Sequence, residues 1–446
     1  MISTVLFGTV FWQYRPIQWG HERQITSSSG DSRLVDVAAD PSSNIVHLVW
    51  ENNRYNATQV YYERSLDNGV SWERDVRLSY LTAYTTEPEP RLTTIGKSVF
   101  VVFSNRTSRG EHLYCVTSSD QGLHFSAPMQ LTRDTGDQLA AAVASDGSKV
   151  YLAWQVHFDD GEQHIFYAKS LDAGLTWQPE TALTNTATAQ DSHATIAAIG
   201  DKVFVAWSRY YDGREAVYFR SSLDSGATWN SETQISDYEP LLFPEFPAIG
   251  SNGTHVHLVW NNQGIQYSRS SDSGASWDGA VTITNTTRWY IAPRISVAGP
   301  LIQVVTSAIS EGDPTHRPTS DIDYVSSLDD GISWSQPVSL TAHKPQALSL
   351  APAIWSDGAA SFIAWEDNRN GRYSVFFLSS PNFALLHAFE WQLLLPVGIV
   401  FAVTTTVYIG LELKTARETK RVTARRHVRR RTRKREHSIH SLRRGV

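Results

Sequence analysis

An eight-residue pattern, Ser-x-Asp-x-Gly-x-(Ser/Thr)-Trp, returns along this chain at nearly even intervals. It constrains the fold more than any other feature. The first full copy is Ser65-Leu66-Asp67-Asn68-Gly69-Val70-Ser71-Trp72. Further full copies surround Asp172, Asp224, Asp272 and Asp329, and a worn copy around Asp120 ends in Phe125. Successive Asp residues are 53, 52, 52, 48 and 57 positions apart. Such self-similarity marks supersecondary units that bury their apolar faces only against one another. The pattern itself reads as a tight hairpin turn. The Asp carboxylate accepts hydrogen bonds from turn N–H groups. The Gly (Gly69, Gly122, Gly174, Gly226, Gly274, Gly331) takes a positive φ. The Ser or Thr hydroxyls tie the turn, and the Trp (Trp72, Trp177, Trp229, Trp277, Trp334) covers the sheet. One Asp per repeat offers too few hard oxygen ligands for calcium, so neither a metal nor a cofactor is expected.

Each turn sits at the same place in a longer unit. Upstream lies an apolar strand ending in an aromatic residue, as in NIVHLVW to Trp50, KVYLAW to Trp154 and KVFVAW to Trp207. LIQVVT at 301–306 fills this slot without the aromatic. A second strand such as QVYYERS precedes the turn, and a third such as DVRLS follows it. A shorter strand such as RLVDVA or RLTTIG opens the unit. These β-branched and aromatic runs predict four antiparallel strands per unit, the signature of a propeller blade. Seven strand slots stand against six turns. The spare piece is N-terminal: Trp19–Thr26 matches Trp72–Ser79, so the first strand is expected to complete the last blade. The prediction is an all-β, seven-bladed propeller over residues 15–380, or six-bladed if one unit is degenerate.

Charge divides the chain. Residues 412–446 hold 14 Lys or Arg and three acids (Glu412, Glu418, Glu436), which leaves 25 basic and 42 acidic residues to the rest. Between the two lie residues 391–411, WQLLLPVGIVFAVTTTVYIGL, with no charge. As a helix this segment matches a bilayer core, with Trp391 and Tyr408 near its ends. The basic run after it fits a cytoplasmic tail touching anionic lipid better than a nucleic-acid arm, so no nucleic acid is expected. The resulting layout is a possible atypical leader at 1–14, the propeller, a linker at 381–390, a transmembrane helix at 391–411 and a tail at 412–446. The propeller then lies outside a cell membrane crossed once. The single cysteine, Cys115, excludes an intramolecular disulfide and reads as a small buried apolar residue.

The repeated turns resemble the Asp-boxes, or bacterial neuraminidase repeats, of sialidase-like propellers. The resemblance covers residue 19 to about 380. It implies the fold strongly and activity weakly. An active sialidase, by that resemblance, uses three arginines to grip a sugar carboxylate, a Tyr–Glu nucleophilic pair and an Asp acid/base on a six-bladed ring. Arg suits the grip because its planar fork binds a carboxylate bidentately. Arg33, Arg91 and Arg294 begin the innermost strands of their units and are the candidates for it. Tyr290 is the nucleophile candidate, with Glu245 as its partner, and Glu51 or Arg54 stands where the acid/base loop would lie. The family's Arg-Ile-Pro motif is absent, and the loop after Trp50 has no Asp. The expectation is therefore a membrane-anchored, outward-facing propeller that binds a glycan, a surface protein or another envelope ligand without catalysis. A retaining exo-sialidase is the alternative.

Overall fold

The computed structural model describes residues 17–380 apart from 28, 41, 55–56, 81–87, 134–135, 241–245, 311–317 and 342–346. The expected leader, linker, transmembrane helix and basic tail lie outside these residues. Among the described residues no helix is long and apolar enough to cross a membrane.

The chain is all-β. In its first group, the inner strand Ser32–Asp40 pairs antiparallel with Ile45–Asn52. That strand pairs with Gln59–Ser65, which carries the short outer strand Val76–Arg77. Groups of the same order begin at the inner strands Arg91–Ile95, Asp137–Asp146, Gln190–Ile199, Ala248–Ser251 and Trp289–Ala298. The last group holds Ser349–Ser356, Ser361–Asp367 and Ser374–Ser379, and takes its outer strand, Arg23–Gln24, from the chain start. Arg23 lies opposite Phe377, and the Gly20 and Ile25 N–H groups donate to the Ser379 and Val375 carbonyls, both at 2.8 Å. The match of Trp19–Thr26 to Trp72–Ser79 thus records a real substitution of one chain end for the other. A single bridge, Gln163 to Gln190, joins the third and fourth groups into one wider sheet.

Each second strand is sandwiched between neighbouring groups, which is why it is apolar on both faces rather than alternating. Trp50, Trp154, Trp207, Trp260 and Trp365 are completely buried. Withdrawing a side chain of this size from water is worth roughly 2–3 kcal/mol.

The repeated turn works as expected. Asp67 accepts the Ser65 hydroxyl at 2.7 Å, the Ser71 N–H at 2.7 Å and the Ser71 hydroxyl at 2.6 Å. Ser65 Oγ in turn accepts the Gly69 N–H at 2.8 Å. The same set recurs at Asp172, Asp224, Asp272 and Asp329. Even the worn copy holds, because His124 replaces the hydroxyl and approaches Asp120 with Nδ1 at 2.7 Å. Hydrogen bonds from the following Ser or Thr hold the carboxyls of Asp67, Asp172, Asp224 and Asp272 below the usual range. Asn68 and Gly69 have φ of 57° and 84°, two positive values in succession, as a type I′ hairpin turn requires.

The turn also joins one group to the previous one. A Cβ on Gly69, Gly226, Gly274 or Gly331 would lie 1.7–2.4 Å from a ring atom or hydroxyl of Phe377, Tyr167, Phe219 or Tyr267, all on the preceding group's third strand. The turn's Trp then meets that same ring edge-on: Trp72 on Phe377 at 5.0 Å, Trp229 on Tyr167 at 4.9 Å, Trp277 on Phe219 at 4.9 Å and Trp334 on Tyr267 at 4.7 Å. In the worn copy Phe125 meets Tyr62 at 4.7 Å. Trp19 does the same on Tyr324 at 5.2 Å, so the N-terminal strand supplies the last group's contact. Cys115 occupies the ring's place in the second group, which explains its burial. There Phe100, one strand inward, reaches Gly174 instead, with its ring 2.2 Å from a notional Cβ.

Gly226→Ala should therefore unfold at lower urea, destabilised by roughly 2–3 kcal/mol from the positive φ and the clash with Tyr167. Gly200→Ala, at φ 61° with open space around it, isolates the backbone part, about 1 kcal/mol.

A second device is titratable. His47, buried beneath the ring of Tyr62, shares a 2.6 Å hydrogen bond with its hydroxyl. Burial, reinforced by Arg64, pushes the imidazole down to about 4. The unfolded chain takes up this proton near pH 6.5 and the folded chain only near 4, so stability is full above 6.5 and falls as pH drops between these values. The loss is on the order of 3 kcal/mol. In the sixth group Gln303 fills the same position and donates to the Tyr324 hydroxyl at 3.1 Å. His47→Gln should thus keep the fold and lessen the pH dependence of the urea midpoint between pH 6.5 and 4.

Candidate functional site at the channel mouth

The inner strands share a second irregularity. Leu34, Glu89, Ala140, His193, Ala292 and Ala351 all have φ between 45° and 53°, and register shifts fall at five of these places. Such a bulge re-aims the residues after it. The N–H that the bulge releases is taken by the side chain just past the second-strand aromatic of the preceding group. Glu366 accepts from Leu34 at 2.8 Å, Gln155 from His193 at 3.0 Å and Ser307 from Ala351 at 3.1 Å. These three bulges are therefore held by the neighbouring group.

Register then decides which residues are equivalent. Asp36, Arg91 and Arg294 pair with Val49, Val102 and Val305, each the residue just before the second-strand aromatic slot. Alignment from the strand start placed Arg33 with the two arginines. The bulge and a hairpin two residues longer put Asp36 there instead. Arg33 stands before the bulge, with its guanidinium 3.9 Å over the Tyr373 ring. The three-arginine grip is corrected to two arginines and a carboxylate.

These three charges act on one another. Asp36 accepts N–H bonds from Leu92 at 2.9 Å and from Val37 at 3.1 Å. Although it keeps a solvent-accessible edge, protein surrounds it. Burial pushes its carboxyl up, against the opposing pull of Arg91, those two bonds and Arg294. Burial and the like charge of Arg91 pull Arg294 down to about 10, while Asp36 and Glu89 oppose the fall. His193 joins them: burial, Arg294 and His157 hold its imidazole down to about 4, so it is neutral near pH 7. Its Nδ1 lies 3.0 Å from Ser192 Oγ, and its ring meets Phe246 edge-on at 4.4 Å. Gln155 links to His157 at 3.2 Å while capping His193. Asp36, His193 and His157 were not found by sequence reasoning. Counting back from the second-strand aromatic, rather than forward from the strand start, would have found Asp36.

The nucleophile candidate goes elsewhere. Tyr290 is buried among Ala248, Val259, Ile265 and Tyr267, and it donates to Asp323 at 3.2 Å. Burial and Asp323 push its hydroxyl up to about 12, and Arg288 holds Asp321 and Asp323. A nucleophile must reach substrate, so Tyr290 is a core residue. Its proposed partner Glu245 lies outside the described residues. Glu51 is buried, opposite Arg33 in register, at the position where Glu366, Gln155 and Ser307 cap bulges in other groups. Arg54 is committed to Asp75 and stacks 3.7 Å over Tyr61, as Arg369 pairs with Asp367 and Glu22 over Phe376. Neither Glu51 nor Arg54 reads as an acid/base remnant. Among the described residues no cluster of His, Cys, Asp and Glu suits a metal ion.

The four-stranded antiparallel groups, closed by the N-terminal strand, make a β-propeller. No protein-family model matches the chain, and no curated protein sequence matches it. Among solved structures, an ulvan lyase, described as a new polysaccharide lyase family, aligns with a TM-score of 0.53 at 12% identity, over 80% of this chain and 95% of that one. A protein of unknown function from Dyadobacter fermentans aligns at 0.47 and 10% identity, over 82% and 99%. The Trypanosoma rangeli sialidase aligns at 0.45 and 12% identity, over 78% and 55%. At these identities the likeness is one of fold.

Asp36 separates two like charges, so Asp36→Asn should destabilise the protein by about 1–3 kcal/mol. Adding Arg91→Gln should restore most of it, read as the coupling in a urea double-mutant cycle.

Proposed function

We propose that this protein is a membrane-anchored, outward-facing propeller of seven blades that binds acidic glycans at its channel mouth without cleaving them. The observation that carries this reading is the pairing of Arg91 and Arg294 beside the neutral imidazole of His193, while Tyr290 is turned into the core. Arg91 and Arg294 stand with the carboxylates of Asp36 and Glu89, and their planar forks suit a sugar carboxylate. A neutral imidazole offers a donor and an acceptor to sugar hydroxyls. The body carries 42 acidic against 25 basic residues outside 412–446.

The span at 391–411 supplies the anchor, the basic tail at 412–446 the cytoplasmic side, and the propeller the outer face. Titration of the full-length protein with uronate- and sialate-bearing oligosaccharides should show binding that weakens at least tenfold in Arg294→Ala. A fluorogenic sialoside should show no turnover. Release of the fluorophore by the unmutated protein would overturn the non-catalytic reading in favour of a retaining sialidase, and absence of binding to every acidic oligosaccharide would overturn the ligand class.

A further inference from the structure

The two ends of the blades are unlike. Ser65, which opens the first repeated turn, pairs with Val46 at the start of its neighbour, and Val46 pairs with Ala39 at the end of the inner strand. The repeated turns therefore lie on the face where inner strands end. The channel mouth lies on the face where they begin.

The tips of these turns are apolar. Leu66 and Val70 in the first group, Leu171 and Leu175 in the third, and Leu328 and Ile332 in the sixth are all exposed, Leu175 by 81% and Ile332 by 74%. A single exposed Leu is ordinary, whereas several large apolar residues on one face mark an interaction surface. Here the turn does not need them, since its geometry is fixed by the Asp, Ser and Gly contacts alone. Two such residues per turn, on three turns of one face, make a set of apolar points rather than one stray side chain.

The chain leaves the propeller on this same face. Ser379 pairs with Phe362 at the start of its neighbour, which places Ser380 among the turns. The last group lies between the sixth and the first, through Trp19 on Tyr324 and Trp72 on Phe377. Its flanking turns are thus the ones that carry Leu328, Ile332, Leu66 and Val70. Ten residues, 381–390, separate this exit from the uncharged segment at 391–411. Even fully extended they reach no more than about 36 Å.

We propose that the turn face docks on the surface of a lipid bilayer, with the Leu, Val and Ile tips in its interfacial layer. This rests on the anchored reading above. The tether keeps the face at high effective concentration near the membrane, so shallow, individually weak insertions add up. The contact is apolar, and the turn carboxylates beside it are already bonded to their own hydroxyls. Docking should therefore occur on zwitterionic lipid and survive high salt. The mouth face, with Arg91 and Arg294, is then the one turned away from lipid.

The test uses the full chain in phosphatidylcholine proteoliposomes. Leu175→Cys, Ile332→Cys and Tyr211→Cys are each labelled with a fluorophore. Tyr211 is exposed at the end of a second strand, on the mouth face. Cys115 is buried and its thiol is pushed up to about 12, so it stays unlabelled. Lipids carrying a nitroxide on the acyl chain should quench labels at 175 and 332 at least twofold, in low and high salt, and leave 211 unchanged. Flotation with the liposomes and resistance to alkaline extraction check the anchor in the same samples. Failure to float sinks the anchored reading and the docking with it. Firm anchoring with no quenching at 175 and 332, or equal quenching at all three sites, overturns the docking alone. Energy transfer between differently labelled copies at 175, without lipid quenching, would assign the face to a second copy and likewise overturn it.

Discussion

The contact between a turn glycine and an aromatic ring of the preceding group is the interaction on which the rest depends. A propeller blade buries nothing useful by itself, because both faces of its sheet need a neighbour. The ring closes only if each group meets the next at a fixed angle and depth. A hydrogen at Gly226, where any other residue has a carbon, lets Tyr167 come within contact, and Trp229 then covers the ring edge. The Asp-centred hydrogen bonds serve this contact by holding the glycine at a positive φ. That explains why the worn copy around Asp120 survives the loss of its hydroxyl and its Trp. His124 still bonds the Asp, and Gly122 still meets Tyr62. What selection must keep is the glycine, its φ and a ring to receive it.

The same economy explains the two unusual groups. The second group lacks the third-strand ring because Cys115 stands there, and Phe100 moves into the space from the next strand. The seventh group lacks its own outer strand because the chain departs at Ser380, and the N-terminus brings Trp19 to the vacant contact on Tyr324. In both cases the void is filled by the nearest apolar ring, since an unfilled cavity of that size costs several kcal/mol.

Charge has been placed where the ring leaves freedom. The residues paired with the position just before the second-strand aromatic form one equivalent set along the inner strands. Four of the seven equivalents are small (Ala142, Thr195, Ala248, Ala353), and three carry charge. The arrangement of Asp36, Arg91 and Arg294 is thus a local choice made on a common frame. Its like-charge repulsion is tolerated because Asp36 lies among the guanidiniums and is itself fixed by the Leu92 N–H.

The sequence by itself determined the repeat, the four-strand unit, the turn chemistry and the exchange of one chain end for the other. These are local: a turn needs its Gly and Asp in fixed spacing, and a strand buried on both faces needs an unbroken apolar run. Arg91 and Arg294 were also legible, because each heads a copy of the repeated inner-strand pattern, RLTTIG and RISVAG. Only the tertiary structure decided their company. Arg33 looked like the third arginine because residue order cannot show a bulge, and a hairpin two residues longer moved Asp36 into the position instead. Tyr290, four residues before Arg294, looked ready to act. A bulge between them turns one toward the channel and the other into the core against Asp323. Side-chain direction after a bulge is set by contacts with the neighbouring group, and no pattern within one repeat contains them.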